Sequence, residues 1–219
     1  MDHRFLAETL ALRPMLFLAM LEFNKSFSSA MPEELASLGN AAVRLWACAS
    51  FRRAWPSSGD TAESYWNFAE ESQRLALMDA ATLEKLGLFL SAAAHAEELS
   101  RVISGRQVLE LRRNLGTDIM NYALKRGRYQ IGSLRPSLLP PPASGPLDAR
   151  IRALAAAALF LLRADWPESL QRLSAPRFPA VNEGAFLPEL TREQRTALWF
   201  TMKKLLLREV APQWAPCFD

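Results

Sequence analysis

Apolar residues recur along this chain at intervals of three and four positions, and this spacing predicts α-helices throughout. No stretch shows the strict alternation of apolar and polar residues, bounded by turns, that is typical of a half-buried β-strand. A helix with one apolar stripe must bury it against other helices to be stable. The pattern therefore predicts an all-α fold, organised as a compact multi-helix globular domain.

The first predicted helices lie in the N-terminal quarter of the chain. Apolar positions over 5–12 and 15–23 indicate a first helix that is kinked or divided at Pro14, because a proline inside a helix removes a hydrogen-bond donor and clashes with the preceding turn. A further helix is predicted over 33–55, where apolar residues again share one face.

Several residues are predicted to mark helix ends. Asp79 suits the N-cap of a long amphipathic helix that reaches Ile103, with Gly105 as its stop. Gly116 is predicted to end the next helix and Gly127 the one after it, since glycine commonly follows the last helical residue.

Three consecutive prolines lie within 133–145, and a run of prolines favours an extended path over a helix. We therefore predict a Pro-rich linker over 133–145 between an N-terminal and middle helical region, 1–132, and a C-terminal helical region, 146–219. The two regions are expected to pack into one domain. In the second, Thr191 and Gln194 match a capping box that begins the last long helix.

The composition is that of an ordinary globular chain, with 50% hydrophobic residues among 219. The two cysteines, Cys48 and Cys217, are far apart and form neither a zinc-ligand spacing nor a disulfide framework, which favours a reduced, cytoplasmic compartment. The apolar run 153–162 is too short to cross a bilayer and is predicted to be a buried core helix. Charged residues interrupt the N-terminal apolar stretch, so no signal peptide is expected.

The sequence contains no catalytic, metal-binding or nucleotide-binding motif that spacing alone supports, so we expect a non-enzymatic protein with no cofactor and no metal. His95 is interpreted as a helix-surface or half-buried histidine rather than a general base. Gly87, inside a helical pattern, is interpreted as a site of close helix contact. An enzyme whose residues meet only in the fold stays open as an alternative.

The positive charge is concentrated between residues 101 and 135. This segment contains eight basic and two acidic residues, although the whole chain carries a formal charge of only +3. Three interpretations stay open: a surface for an acidic protein, a site for nucleic acid in a helical regulator, or an ordinary solvated face. The candidate protein-binding residues of this segment are Arg106, Arg112, Arg113, Lys125, Arg126 and Arg128.

The middle of the chain contains leucine-glycine steps at Leu86 and Leu115, followed by an Ala123 and Leu124 pair. The C-terminal piece TMKKLLLREVAPQWAPCFD combines a basic amphipathic helix with a proline and a short aromatic tail. With these features the chain from 74 to 219 resembles the SctK (YscK-like) proteins of bacterial type III secretion systems. Near the N-terminus, Phe23 and Asn24 are similar to the same family's phenylalanine-asparagine stretch.

This resemblance implies a cytosolic, all-helical adaptor without catalytic residues. Such an adaptor joins the forkhead-associated-like cytosolic domain of the inner-membrane ring protein SctD to the pod protein SctQ of the sorting platform, and it is needed for effector secretion. The expected location is the cytoplasmic face of the inner membrane, reached through protein partners and without membrane insertion or nucleic acid. Trp55, Trp66 and Trp214 are candidate interface anchors, although a core position is favoured for Trp66.

Overall fold

The computed structural model describes residues 3–25, 64–138, 145–182 and 187–218, and in these residues the predicted all-α fold is confirmed: they contain no β-strand. The predicted helix over 33–55, Trp55 and Cys48 lie outside the described residues. The α-helices of the described part are α1 (His3–Leu12), α2 (Pro14–Lys25), α3 (Ala80–Ala94), α4 (Ala96–Ser100), α5 (Gly105–Leu115), α6 (Thr117–Tyr122), α7 (Arg128–Gln130), α8 (Arg135–Leu138), α9 (Leu147–Arg163), α10 (Glu168–Ser174) and α11 (Arg192–Leu205). None of them is long and apolar enough to cross a membrane.

The described residues also contain two π-helices and several 3-10 helices. The π-helices Ala123–Gly127 and Leu206–Val210 directly follow α6 and α11. The longer 3-10 helices are Glu71–Leu77 and Pro212–Cys217. π-Helical turns are rare and are found mostly as short bulges within α-helices.

The chain forms two compact units. The first comprises Met1–Leu77, Pro167–Ser174 and Trp214–Asp219, and the second comprises Met78–Trp166 and Ala175–Gln213. This division differs from the one predicted at 133–145, because residues on both sides of that segment belong to the second unit.

In the first unit, Pro14 divides the N-terminal helical segment as predicted, since it is the first residue of α2, where its missing N–H is not needed. Asn24, at the end of α2, is fully buried and pairs with the backbone of Tyr65: its Nδ2 donates to the Tyr65 carbonyl and its Oδ1 accepts from the Tyr65 N–H, both at 2.8 Å. The rings of Phe23 and Phe68 meet edge to face at 5.6 Å between centroids.

A buried arginine holds the C-terminal segment within the same unit. Arg74 donates to the carbonyl oxygen of Phe68 at 3.1 Å and to that of Cys217 at 2.8 Å. Hydrogen bonds to backbone carbonyls satisfy a guanidinium that would otherwise be costly to bury. Trp66 is fully buried in this unit, as a core residue is expected to be, and Trp214 is half-buried.

In the second unit, α3 packs closely against α9. A Cβ at Gly87 would lie 3.0 Å from the Ala155 carbonyl oxygen and 3.1 Å from Leu159 Cδ1, so the absence of a side chain lets the two helices approach. This confirms the interpretation of Gly87 as a close helix contact. The apolar run 153–162 lies within α9, and most residues of the run are buried as predicted, although Ala153 and Phe160 are exposed.

Three predicted helix ends are confirmed. The Asp79 carboxylate accepts from the Thr82 N–H at 2.8 Å at the start of α3, and Thr191 and Gln194 form the expected reciprocal capping box at the start of α11. Gly116 ends α5 with φ of 103°, a conformation that favours glycine, and its N–H donates to the Arg112 carbonyl at 3.0 Å.

Two glycine predictions are wrong. Gly105 begins α5 instead of stopping the preceding helix, which ends earlier, where the Ser100 hydroxyl donates to the Glu97 carbonyl at 2.7 Å and so competes with the helical pattern. Gly127 has helical backbone angles and the chain continues into α7. Its role is packing, because a Cβ there would lie 2.8 Å from Ala93 Cβ.

The first part of the predicted linker over 133–145 is helical. Gly132–Leu134 is a 3-10 turn and Arg135–Leu138 is α8. Leu134 and Leu138 are four residues apart and both are buried, so a helical path places them on one inward face. The three consecutive prolines lie outside the described residues.

Candidate protein-interaction surface

The helix α5 places three of the six predicted basic residues in solvent. Its inward face consists of Leu111 and Leu115, which are buried, with Val108 half-buried beside them. Because a helix turns once in 3.6 residues, Arg106 and Arg113, seven residues apart, share the side opposite this apolar face.

An exposed leucine lies among these arginines. Leu109 is 67% exposed, and it is three residues from both Arg106 and Arg112 and four from Arg113, the spacings at which helix side chains are neighbours. We refer to Arg106, Leu109, Arg112 and Arg113 as the α5 surface. Ile103, two residues before the helix begins, is 93% exposed.

Among the residues that the structure describes, the three guanidinium groups of the α5 surface have no acidic partner. All three residues are exposed, and in the described part of the molecule no ion pair or side-chain hydrogen bond engages them. Glu110 is the acidic residue of this helix. The surface is therefore a patch of uncompensated positive charge around an exposed leucine.

Arg126 differs from these three because its charge is compensated inside the second unit. Its Nη1 lies 2.9 Å from Glu209 Oε1 and its Nη2 donates to Glu209 Oε2 at 3.0 Å, a bidentate pair that links the two π-helices. The guanidinium also lies 5.9 Å from the centroid of the Tyr122 ring. Lys125 is exposed in the same π-helix, and the side chain of Arg128 is not among the described parts.

A cavity of about 290 Å³ adjoins this ion pair. It is lined by Phe89, Asp118, Asn121, Tyr122, Lys125, Arg126 and Glu209. Two of the lining residues have shifted pKa values. Burial and the nearby Glu209 carboxylate raise the pKa of Tyr122 to about 12, and a hydrogen bond from Lys85 lowers the pKa of Asp118. The Tyr122 hydroxyl stays protonated at neutral pH and donates to Gln130 Oε1 at 2.8 Å.

The prediction for His95 as a surface or half-buried residue is wrong. The side chain is 1% exposed and lies at the end of α3, where its Nδ1 is 2.9 Å from the Ser91 carbonyl oxygen. The contact with the Ser91 carbonyl gives a polar atom of the ring a partner and so lowers the cost of burying it. Among the described residues, no group of three or more His, Cys, Asp or Glu side chains is placed to hold a metal ion.

Sequence reasoning found the arginines of the α5 surface but missed Leu109 and Ile103. The signal for Leu109 was present, since it directly follows Val108 and falls outside the three-and-four spacing of the inward positions Val108, Leu111 and Leu115. Neither a protein-family model, nor a curated protein, nor a solved structure matches this chain.

Proposed function

We propose that this protein is a non-enzymatic structural adaptor of a type III secretion injectisome, similar to SctK. It connects the cytosolic domain of the inner-membrane ring protein SctD with the pod protein SctQ of the sorting platform, and effector secretion depends on it. The observation that carries the proposal is the α5 surface, with its three uncompensated arginines around an exposed leucine. The all-helical fold and the resemblance of 74–219 to the SctK family support the same proposal.

An acidic protein surface complements this patch physically. Arginine guanidinium groups form charge-assisted, often bidentate hydrogen bonds with carboxylates, and Leu109 offers apolar area at their centre. Arginine is enriched where interfaces gain most of their energy. Exposed charges contribute mainly to steering and register, so we expect each ion pair to add little affinity and the set to fix the orientation of the partner.

The exposed leucine favours protein over nucleic acid as the partner. Most contacts to nucleic acid go to phosphates, for which an apolar residue at the centre of the patch offers nothing. Arg112 and Arg113 are adjacent, so they point about 100° apart around the helix. They therefore do not form a single helix face that could contact the base edges in a DNA groove. A nucleic-acid complex is therefore retained only as an outcome of the test below.

The test reverses two charges on the exposed side of α5 and measures capture of each partner. The double variant Arg106→Glu/Arg113→Glu should weaken binding of one partner, SctD or SctQ, by roughly tenfold or more, which corresponds to about 1.4 kcal/mol. The matched control is Arg101→Glu/Arg192→Glu, which changes the net charge equally at two exposed arginines outside the α5 surface. Leu109→Ser tests the apolar contribution separately.

Circular dichroism spectra and melting curves should show that all variants fold. Equal loss of binding in the control would mean that net charge, not the α5 surface, governs the interaction. Binding by the folded double variant with wild-type affinity would remove the α5 surface from the interface. Capture that nuclease abolishes would support the regulator hypothesis instead.

A further inference from the structure

The helix α11 presents an aromatic side chain to solvent. Leu198, Met202 and Leu205 form its buried side, at spacings of four and three residues. Phe200 is two positions from both Leu198 and Met202, about 200° around the helix, and it is 61% exposed. Phe200 therefore lies on the side of α11 that faces away from the interior of the second unit.

Positive charge and further apolar area surround Phe200. Lys204 follows one turn later and Arg208 four residues beyond it; both are exposed, and neither has an ion-pair partner in the described part of the chain. Leu207 and Arg208 lie in the π-helix Leu206–Val210 that directly follows α11, and Leu207 is half-buried. We refer to Phe200, Lys204, Leu207 and Arg208 as the α11 surface.

The helix dipole explains only part of this arrangement. Basic residues near the C-terminal end of a helix stabilise it by interacting with the partial negative charge there, which accounts for Lys204. It does not account for a phenylalanine with most of its ring in water. Exposed aromatic residues with neighbouring basic side chains are instead typical of protein interfaces, where aromatic residues and arginine contribute much of the binding energy.

We propose that the α11 surface is a second docking site, distinct from the α5 surface, and that it binds an acidic protein segment carrying an apolar side chain that packs on Phe200. The inference rests on the proposed adaptor function, because a protein that connects two partners needs two contact surfaces. Carboxylates of the partner pair with Lys204 and Arg208, whose charges no described residue of this chain compensates.

A membrane surface fits the α11 surface less well. Interfacial helices insert a broad apolar face into the lipid boundary, whereas the broad apolar side of α11 is buried inside the second unit. The narrow exposed apolar area around Phe200 therefore favours a protein partner over a lipid surface.

The experiment measures binding of purified SctQ and of the purified cytosolic domain of SctD to the full chain and its variants. Phe200→Ala and the double variant Lys204→Glu/Arg208→Glu should each weaken one partner at least tenfold and leave the other unchanged. Arg106→Glu/Arg113→Glu, on the α5 surface, should show the opposite selectivity. Tyr129→Ala, at another exposed aromatic residue of the second unit, is the control for removing a ring.

Each outcome decides between the proposals. If the wild-type chain binds both proteins and the α11 variants bind them as tightly, the α11 surface is refuted and the adaptor function stands. If the α5 and α11 variants lose the same partner, the two surfaces form one interface and the second site is refuted. If the wild-type chain binds neither protein, the adaptor function is refuted. The proposal of a second docking site is then refuted as well, because it rests on that function. Sedimentation with phosphatidylglycerol vesicles that Phe200→Ala abolishes would assign the surface to a membrane.

Discussion

Replacing Gly127 with alanine tests whether close packing, not helix termination, explains this glycine. An added Cβ would lie 2.8 Å from Ala93 Cβ, 3.0 Å from Ala93 Cα and 3.3 Å from Tyr122 Cε1. Carbon atoms in favourable contact are about 3.5–4.0 Å apart, so α3 would have to move by roughly 0.7 Å. Ala93 is fully buried in α3, and its backbone cannot move without displacing the helix.

Two opposing effects set the magnitude. Alanine is favoured over glycine in a helix interior by about 1 kcal/mol. Overpacking a core costs about 1–3 kcal/mol. We therefore expect Gly127→Ala to lower the free energy of unfolding by about 1 kcal/mol, with a decrease in Tm of about 2–4 °C, the shift per kcal/mol that is typical of a chain of this length. Since Gly127 has helical backbone angles, alanine would instead leave stability unchanged or raise it if the contact with Ala93 were not close.

Thermal and urea unfolding, followed by circular dichroism, measure this difference. Gly105→Ala is the control, because a Cβ at Gly105 meets no atom within 4 Å and the residue begins a helix. The double variant Gly127→Ala/Ala93→Gly should be more stable than the sum of the two single changes predicts, since removing the Ala93 Cβ relieves the contact. A Tm for Gly127→Ala at or above that of the wild type, or strictly additive energies, would refute the packing argument.

Two further predictions concern hydrogen bonds. Asp79→Ala should lower stability by about 1 kcal/mol near neutral pH by removing the N-cap of α3. The hydrogen bond from the Thr82 N–H lowers the pKa of the Asp79 carboxyl. The charged carboxylate therefore stabilises the fold above the usual carboxyl pKa, and this contribution is lost as the pH falls through the lowered pKa. Urea titrations at several pH values should show that Asp79→Ala costs less stability in acid, and an equal cost at every pH would contradict this. Asn24→Ala should lower stability by about 3 kcal/mol, because it leaves the buried Tyr65 N–H and carbonyl without their partner. Faster hydrogen exchange at the Tyr65 amide is the local readout, and unchanged protection would show that this pairing contributes little.

Side-chain capping was predictable because it is a local property of the sequence. Each capping hydrogen bond joins two residues that are three positions apart, and the structure contains the predicted bonds of Asp79, Thr191 and Gln194. The ends predicted from glycine were less secure, since glycine also occurs where two helices approach closely. Gly127 has a neighbour in Ala93, 34 positions earlier in the chain, and no local pattern reveals that contact.

The residues of the candidate surfaces could be predicted from the sequence only in part, because contacts between distant residues decide which charges are compensated. The basic segment was visible as a run of charge, but the difference between Arg113 and Arg126 was not. Arg126 is compensated by Glu209, 83 residues later, whereas no such residue compensates Arg113 in the described part of the chain. The exposure of Phe200 was not predicted, because Leu198 and Met202 are close to it in the sequence and are also apolar. Only the orientation of the helix shows that those two residues face inward and Phe200 faces outward.

The adaptor function is tested most directly by co-purification of the tagged full chain with SctQ and the cytosolic domain of SctD, in the presence of nuclease and over a range of salt concentrations. An adaptor between these proteins should give a stoichiometric complex that contains both of them and survives nuclease. Recovery of nucleic acid alone, with an affinity whose logarithm falls steeply with the logarithm of salt concentration, would contradict it and identify the basic segment as a nucleic-acid site.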